Sequence, residues 1–578
     1  MNPSVLKSSL QVLVDAEVSS HWRQKTVGDI SRLFERVAEL FLLYGDPLAY
    51  ETAERMGIPP AEVYFETVFP SVWGLLSTSQ SLKRGNPKQS LEELLKQEVS
   101  PPLTDFEGFS ACRLLPANRL EKMLLPGMSG YVLFNRSEDH VAALQDSLET
   151  DQEKLGKGIA LCLLPFNLAS IGALDIVHLL CNKGFRVVAK VSEKAGFCGP
   201  YLEKIFAPFV ECDALRFVFG GPETGAWLVS QSEFAHIHVT GSVQTGRAVT
   251  RIAGFDKVTS ELGGVTSAII LPDVFLRRGA AQQVARQLTF GMLANNGQHC
   301  VSIQVIVTPQ SHSHTLKELL WEEISLASKR EGEHNGDRLL IDEAAAERLG
   351  LMIEELYQTG AVTTPIYPRA TGRGFPPTLI EGIDENVSFL REEAFGPVAA
   401  LLTLPDDSFQ ERALELVNSP ALAGDLGISI FTSSPSRPEV RRMAAELRHG
   451  IVAINTYPGI AFATSLPWGA GPLGLSGQGW VHNYRFLPEG AIRQVIIVSA
   501  LGKKGIGPLQ WEDPWLLNVS GENSTRLAKA LVQACWAFFR RKKWKLLDSQ
   551  YDLFRALLQR ELQSRMADQK GSPKSRPR

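Results

Sequence analysis

Cysteine is sparse in this chain, and its spacing is wrong for the usual structural uses. Seven residues, Cys112, Cys162, Cys181, Cys198, Cys212, Cys300 and Cys535, are scattered through 578 positions. The number is odd and no pair is spaced C-x-x-C, which argues against a disulfide framework and against a zinc knuckle. No metal is expected. Reduced thiols in a cytoplasmic protein are the simpler reading. Long apolar runs are also missing: no uncharged stretch reaches the roughly 18–20 residues of a membrane span. The first residues, MNPSVLKSSLQVLVDAEVSS, have no basic stretch leading into an apolar one, so no secretory signal is expected. No repeat of fixed period is visible, which excludes a solenoid or propeller. A strong charge of one sign is absent too. Lys and Arg number 59 against 63 Asp and Glu, a net of −4, so nucleic acid is not an expected partner.

What is present is an ordinary globular composition, 44% apolar and 21% charged, in a chain long enough for more than one domain. The charge is uneven. Residues 501–578 hold 16 Lys and Arg against 7 Asp and Glu, a balance of +9, leaving −13 for residues 1–500. Residues 20–150 read mainly as helices. TVGDISRLFERVAELFLLYG has apolar residues three and four apart and is expected to end at Gly45. From residue 158 the pattern changes. GIALCLLPFN, RVVAKVSE, ALRFVFGG and HIHVTGS read as strands, separated by helices such as ALDIVHLLCNKG. Alternating strands and helices predict a parallel sheet with right-handed crossovers, which binds ligands at the carboxyl ends of its strands. Asn167, Lys190, Glu193, Gly221 and Ser242 fall at or just after such ends. A second α/β block begins near residue 261, with TSAIILPD, SIQVIVTP, VAALLTLP, LGISIFTS and GIVAINT as strands, and AIRQVIIVS at 491–499 as one more, exposed-looking strand.

FGMLANNGQHC, residues 290–300, raises the chemical question. Cys300 follows a turn-rich lead-in that could expose its sulfur, yet a thiol is a poor nucleophile unless its surroundings favour the thiolate. On its own it reads as a structural cysteine. Glu261 sits beside a glycine pair in SELGG, where a carboxylate can swing to activate a water, or can simply lie at a surface. The Asn167 side chain, at a strand end, could donate to an oxyanion or cap the next helix. VTGSVQTGR, residues 239–247, is a strand–turn–helix whose helix start could hold a pyrophosphate, although it lacks G-x-G-x-x-G.

Taken in order, these segments resemble the aldehyde dehydrogenase superfamily: LLPFN (163–167), VVAKVSE (187–193), HVTGSVQTGR (238–247), SELGG (260–264), FGMLANNGQHC (290–300), REEAFGPV (391–398) and LPWGAGPLGLSGQG (466–479). The resemblance covers about residues 20–500. It implies Cys300 as nucleophile towards an aldehyde, an oxyanion held by the Asn167 amide and the Cys300 N–H, hydride transfer to a nicotinamide, and thioester hydrolysis by water that Glu261 activates. It assigns cofactor contacts to Phe166, Lys190, Glu193, Gly241, Ser242, Gly246, Glu393 and Phe395. A glutamate at 193 favours NAD over NADP, which stays open. The implied fold is a Rossmann-like NAD-binding domain interleaved with an α/β catalytic domain. The first spans residues 1–260 and returns at 454–484; the second spans 261–453. An oligomerisation strand at 485–500, with a hairpin drawn from 113–150, implies a homodimer or homotetramer.

Departures mark a divergent branch. Val191, Val239, Val265, Trp468 and Ala470 stand where the family usually has other residues. Two other readings stay open. CoA-acylating relatives use the same cysteine in aldehyde oxidation or acyl-CoA reduction, but commonly lack a glutamate at the position of Glu261. A catalytically silent scaffold would keep the fold alone. The extension 501–578 lies outside the family pattern. Leu527, Leu531, Cys535 and Phe538 have helical spacing, and WAFFRRKKWK (536–545) joins aromatics to cations. That segment suits either a helix packed on the body, with Trp536 and Phe539 buried, or a helix lying on an anionic membrane.

Overall fold

The structure is a computed structural model. It describes residues 22–83, 86–95, 103–125, 127–135, 158–330, 337–366, 368–464, 466–481, 491–499 and 522–539. The basic cluster 540–545, and the later apolar residues of the extension, lie outside these.

The predicted α/β architecture is present as two large sheets. The first has six strands. Val258–Leu262, Phe234–Gly241, Ile159–Leu163, Arg186–Val191 and Leu215–Phe219 lie side by side and parallel, and Gly477–Gln478 adds an antiparallel edge next to Val258–Leu262. Chain order reverses between Ile159–Leu163 and Phe234–Gly241, so a crevice opens beyond their carboxyl ends. Asn167 and Ser242 follow those two strands directly.

The second sheet has eleven strands. Its centre is Ile451–Ile454, Gly427–Phe431, Thr266–Ile270, Ile303–Pro309 and Val398–Leu404, all parallel and almost wholly buried. Helices covering both faces of a parallel sheet explain why these segments read as unbroken apolar runs. The strand Ile492–Val498 corrects the sequence reading. It is not exposed: it lies within the sheet, parallel to Ile451–Ile454 and antiparallel to Ser129–Phe134, with Val495, Ile496 and Ile497 fully buried. Ser129–Phe134 pairs in turn with Phe109–Leu115, so the hairpin begins earlier than residue 113.

The first long helix also differs from expectation. It runs Val27–Met56, straight through Gly45 and Pro47, and ends at Gly57 in the left-handed conformation (φ 65°), whose N–H bonds the Ala53 carbonyl. Gly45 serves packing instead of termination: a Cβ there would stand 3.1 Å from Val68 Cγ1. Thr26 caps the start, its hydroxyl accepting from the Asp29 N–H at 3.1 Å. The helix Glu522–Phe539 packs on this N-terminal layer. Leu527, Leu531 and Cys535 are buried, Trp536 and Phe538 half-buried, and Lys529 pairs with Asp46 at 2.6 Å. This part of the extension is a docked helix. No helix among the described residues is long and apolar enough to cross a membrane.

Candidate active site

The strand Val258–Leu262 is the outermost parallel strand of the first sheet, and Thr266–Ile270 lies in the second. Only Gly263, Gly264 and Val265 join them, so Glu261 stands at the junction. Both glycines are required by close approach. A Cβ on Gly263 would collide with the Glu393 carboxylate, and one on Gly264 would stand 2.8 Å from the Gly424 Cα. Glu261 and Glu393, far apart in sequence, therefore flank one turn.

Cys300 reaches the same place from the second block. Helix Ala280–Leu293 gives way to Asn295, Asn296 and Gly297, all at positive φ (48°, 57° and 74°). Asn and Gly tolerate that region best, which is the physical content of the Asn-Asn-Gly run. The loop is pinned from outside. Glu62 accepts from the Asn295 N–H at 2.6 Å, and the Asn296 amide donates to the Met56 carbonyl at 2.7 Å. The Asn167 amide donates to the Gln298 carbonyl at 2.9 Å, which ties the first sheet's strand end to the loop before Cys300.

The sulfur of Cys300 lies 3.7 Å from Glu261 Oε1. The other oxygen, Oε2, accepts from the Trp468 indole N–H at 2.8 Å. Burial pushes the Cys300 thiol well up, and the Glu261 and Glu393 carboxylates push it further, so it rests as a thiol. Burial also raises Glu261 to about 8, reinforced by the Asp175 charge and opposed by the Trp468 and Cys300 hydrogen bonds. A thiol and a carboxylate with elevated proton affinities can exchange one proton between them. That is the starting condition for a base-activated nucleophile.

Glu393 is raised to about 8 as well, first by burial, against the lowering influence of Arg348 and the Gly264 N–H. Its Oε1 is buried with no hydrogen-bond partner. Gln304 fixes the loop that carries it, donating to the Phe389 and Glu392 carbonyls and accepting from the Ala394 N–H. Phe395 has φ 50° and meets the Phe166 ring edge-on, centroids 5.7 Å apart. Along the crevice, Lys190 is half-buried, and burial lowers its proton affinity against the influence of Glu193. A Cβ on Gly221 would stand 2.9 Å from Glu193 Oε2. Ser242 caps helix Val243–Ala253, accepting from the Thr245 N–H at 3.2 Å. Gly246 lets that helix sit against Leu262, where a Cβ would come within 2.6 Å. Gly241 ends the strand before it.

Of the residues singled out in the sequence, Cys300 meets Glu261, Asn167 holds the loop before Cys300, Glu393 lies against Gly263 and Phe395 against Phe166, while Lys190, Glu193, Gly221, Gly241 and Ser242 lie at or just after strand ends of the first sheet. Sequence reasoning missed three partners. Trp468 was visible only as a departure from a pattern, and nothing local links it to a glutamate 207 residues away. Gln304 and Asp175 sit inside apolar segments and gave no signal beyond being polar there.

Fold and site define an α/β protein with a paired cysteine and glutamate at the inner end of a nucleotide-type crevice. The model of the aldehyde dehydrogenase family matches residues 135–484, and the chain belongs to that family. A probable coniferyl aldehyde dehydrogenase from Pseudomonas aeruginosa is 24% identical over 329 residues, 57% of this chain and 66% of that protein. An NADP-dependent glyceraldehyde-3-phosphate dehydrogenase from Streptococcus equinus is 27% identical over 302 residues, 52% of this chain and 60% of that one. The chain thus spans just under two thirds of these relatives' lengths. The NAD+ complex of an aldehyde dehydrogenase from Bacillus cereus has the same fold, with a TM-score of 0.61 at 20% identity, over 84% of this chain and 86% of that chain.

Proposed function

We propose that the protein oxidises an aldehyde to a carboxylic acid with NAD or NADP, through a thioester on Cys300 that water hydrolyses. The observation that carries this is the contact of Cys300 Sγ with Glu261 Oε1 at 3.7 Å, with the glutamate's second oxygen anchored by Trp468. In the first step Glu261 takes the thiol proton as sulfur attacks the carbonyl carbon. The C=O bond becomes C–O⁻, and the oxyanion is stabilised by the Cys300 N–H and by the second N–H of the Asn167 amide, beyond the one given to Gln298. A thiohemiacetal results, and its loss of hydride leaves a thioester. In the second step Glu261, again ionised, takes a proton from water. The hydroxide adds to the thioester carbon, the C–S bond breaks, the proton on Glu261 restores the Cys300 thiol, and the acid leaves.

The residues present fit a nicotinamide dinucleotide. Glu393 has a buried oxygen without a partner, suited to a ribose hydroxyl. Lys190 and Glu193, at the carboxyl end of strand Arg186–Val191, would hold the adenosine ribose, and the helix start at Ser242, with Gly241 and Gly246, would hold the pyrophosphate. Phe166 and Phe395 wall the inner end. The cofactor supplies the hydride acceptor when bound. Glu193 would disfavour a 2′-phosphate, so NAD is the preferred form.

The test is nucleotide reduction at 340 nm by the full chain with aliphatic and aromatic aldehydes, with and without CoA, for wild type, Cys300→Ala and Glu261→Gln. CoA-independent turnover that Cys300→Ala abolishes supports the reading. Turnover only with CoA would assign the acylating reaction instead, and binding of NAD without turnover would leave a scaffold.

A further inference from the structure

Strand Phe234–Gly241 carries a polar row on one face. Alternation places His236, His238 and Thr240 together, while Ile237 and Val239 fill the opposite face and are buried. The neighbouring strand continues the row in register: Thr259 lies beside His238, and Glu261 beside Thr240. Asp175, fully buried on helix Ala169–Val177, closes it from above.

Contacts run without a break from Asp175 to His236. Thr240 Oγ1 donates to Asp175 Oδ2 at 2.9 Å. His238 Nε2 lies 3.5 Å from Asp175 Oδ1 and 3.3 Å from Thr240 Oγ1. His238 Nδ1 lies 2.8 Å from Thr259 Oγ1, and that hydroxyl lies 2.9 Å from His236 Nε2. His236 is half-buried and stacks on Phe185, with centroids 5.3 Å apart. Parallel strands covered on both faces are normally apolar, and burying polar groups is unfavourable unless they serve or satisfy one another. Here five polar groups, Asp175 and His238 buried and Thr240, Thr259 and His236 half-buried, run from the position beside Glu261 to the far end of the strand.

The chemistry sets the need. Each turnover moves two protons onto Glu261, one from the Cys300 thiol and one from water, and Glu261 is only 3% exposed. The proton from water returns to the Cys300 sulfur when the C–S bond breaks, and the proton from the thiol must leave before Glu261 can act on water. Of the groups facing Glu261, the Trp468 indole keeps its proton and Cys300 is the donor. Asp175 is the charge that bears on Glu261 from the sheet side, and its other neighbour, Cys162, is a buried thiol pushed well up that keeps its proton. We propose that Asp175, Thr240, His238, Thr259 and His236 form the path by which protons leave Glu261. A proton accepted at the Asp175–Thr240 end enters His238 at Nε2 while another leaves from Nδ1. The Thr259 hydroxyl passes it to His236, which returns it to water. No group changes its net protonation over the cycle. The inference rests on the reading of Glu261 as the base.

The test uses the full chain and p-nitrophenyl acetate, an activated ester that acylates Cys300 without nucleotide. The burst of nitrophenolate reports acylation and the steady rate reports hydrolysis. Thr259→Val should keep the burst and slow the steady rate roughly tenfold, a fraction of what general-base loss itself removes. Its solvent deuterium isotope effect should rise, and added imidazole should restore the rate. Thr259→Ser, which keeps the hydroxyl, should behave as wild type. His236→Gln should slow hydrolysis in the same way from the half-buried end, with the interior untouched. Wild-type steady rates in both Thr259→Val and His236→Gln, with Glu261→Gln slow, would overturn the path and leave the base intact. A Glu261→Gln protein as fast as wild type, or a wild type with no burst, would overturn the base and the path together.

Discussion

Glu261 precedes Gly263 and Glu393 packs against it, and each is held up to about 8 by burial. They differ in what surrounds them. Glu261 has both oxygens engaged, one by Trp468 and one by Cys300. Glu393 is fixed from behind, through Gln304 and the Gly264 N–H, and keeps one buried oxygen without a partner. A carboxylate whose partners are all protein groups is arranged to exchange a proton with them. One with an orphan oxygen is arranged to receive a ligand, because leaving that atom buried and unpaired is unfavourable until something fills it.

Removing the reactive groups should separate the two sides most sharply. Cys300→Ala should abolish turnover while nucleotide binding, followed by calorimetry, stays near wild type. Glu261→Gln, which removes the base of both steps, should weaken the burst of reduced nucleotide and slow turnover about 10²- to 10⁴-fold. Gly263→Ala attacks the other side. The added Cβ must displace Glu393, so nucleotide affinity should fall tenfold or more, with about 1–3 kcal/mol of stability lost to overpacking. Trp468→Phe removes the indole donor that favours ionised Glu261. Hydrolysis should slow roughly tenfold, consistent with losing one hydrogen bond to a charge, and the alkaline midpoint of the rate profile should move up.

The pH dependence of stability sharpens the same contrast. Both carboxyls hold their protons in the folded chain up to about 8, whereas the unfolded chain loses them near the ordinary 4.5. The folded state binds more protons across that window, so these groups make stability fall as pH rises from about 4.5 to about 8 and level off above. Glu393→Gln should flatten part of that fall in chemical denaturation. Turnover runs the opposite way, rising with pH as Glu261 ionises. The smallest effect belongs far from the site: Thr26→Ala removes a helix cap and should lower the unfolding free energy by about 1 kcal/mol without altering turnover.

Much of this was legible beforehand. The central strands read as strands because both faces are covered, which writes an apolar run into the sequence. Asn295, Asn296 and Gly297 announced a left-handed loop before Cys300. Gly45 and Pro47 misled because local punctuation was overridden by tertiary packing, which carried the helix on to Gly57. AIRQVIIVS looked exposed because its neighbours in the sheet, residues 129–134 and 451–454, are remote in the chain.

The sequence by itself determined the elements, the order of the motifs and the identity of Cys300, Glu261 and Asn167 as candidates. Such information is local: period, turn chemistry and short spacing all act within a few residues. Only the tertiary structure decided that Trp468 would orient Glu261, that Gly263 would leave room for Glu393, and that Asp175 and His238 would line up behind the base. Those contacts join segments scores to hundreds of residues apart, and a chain records nothing of them until its sheets have closed.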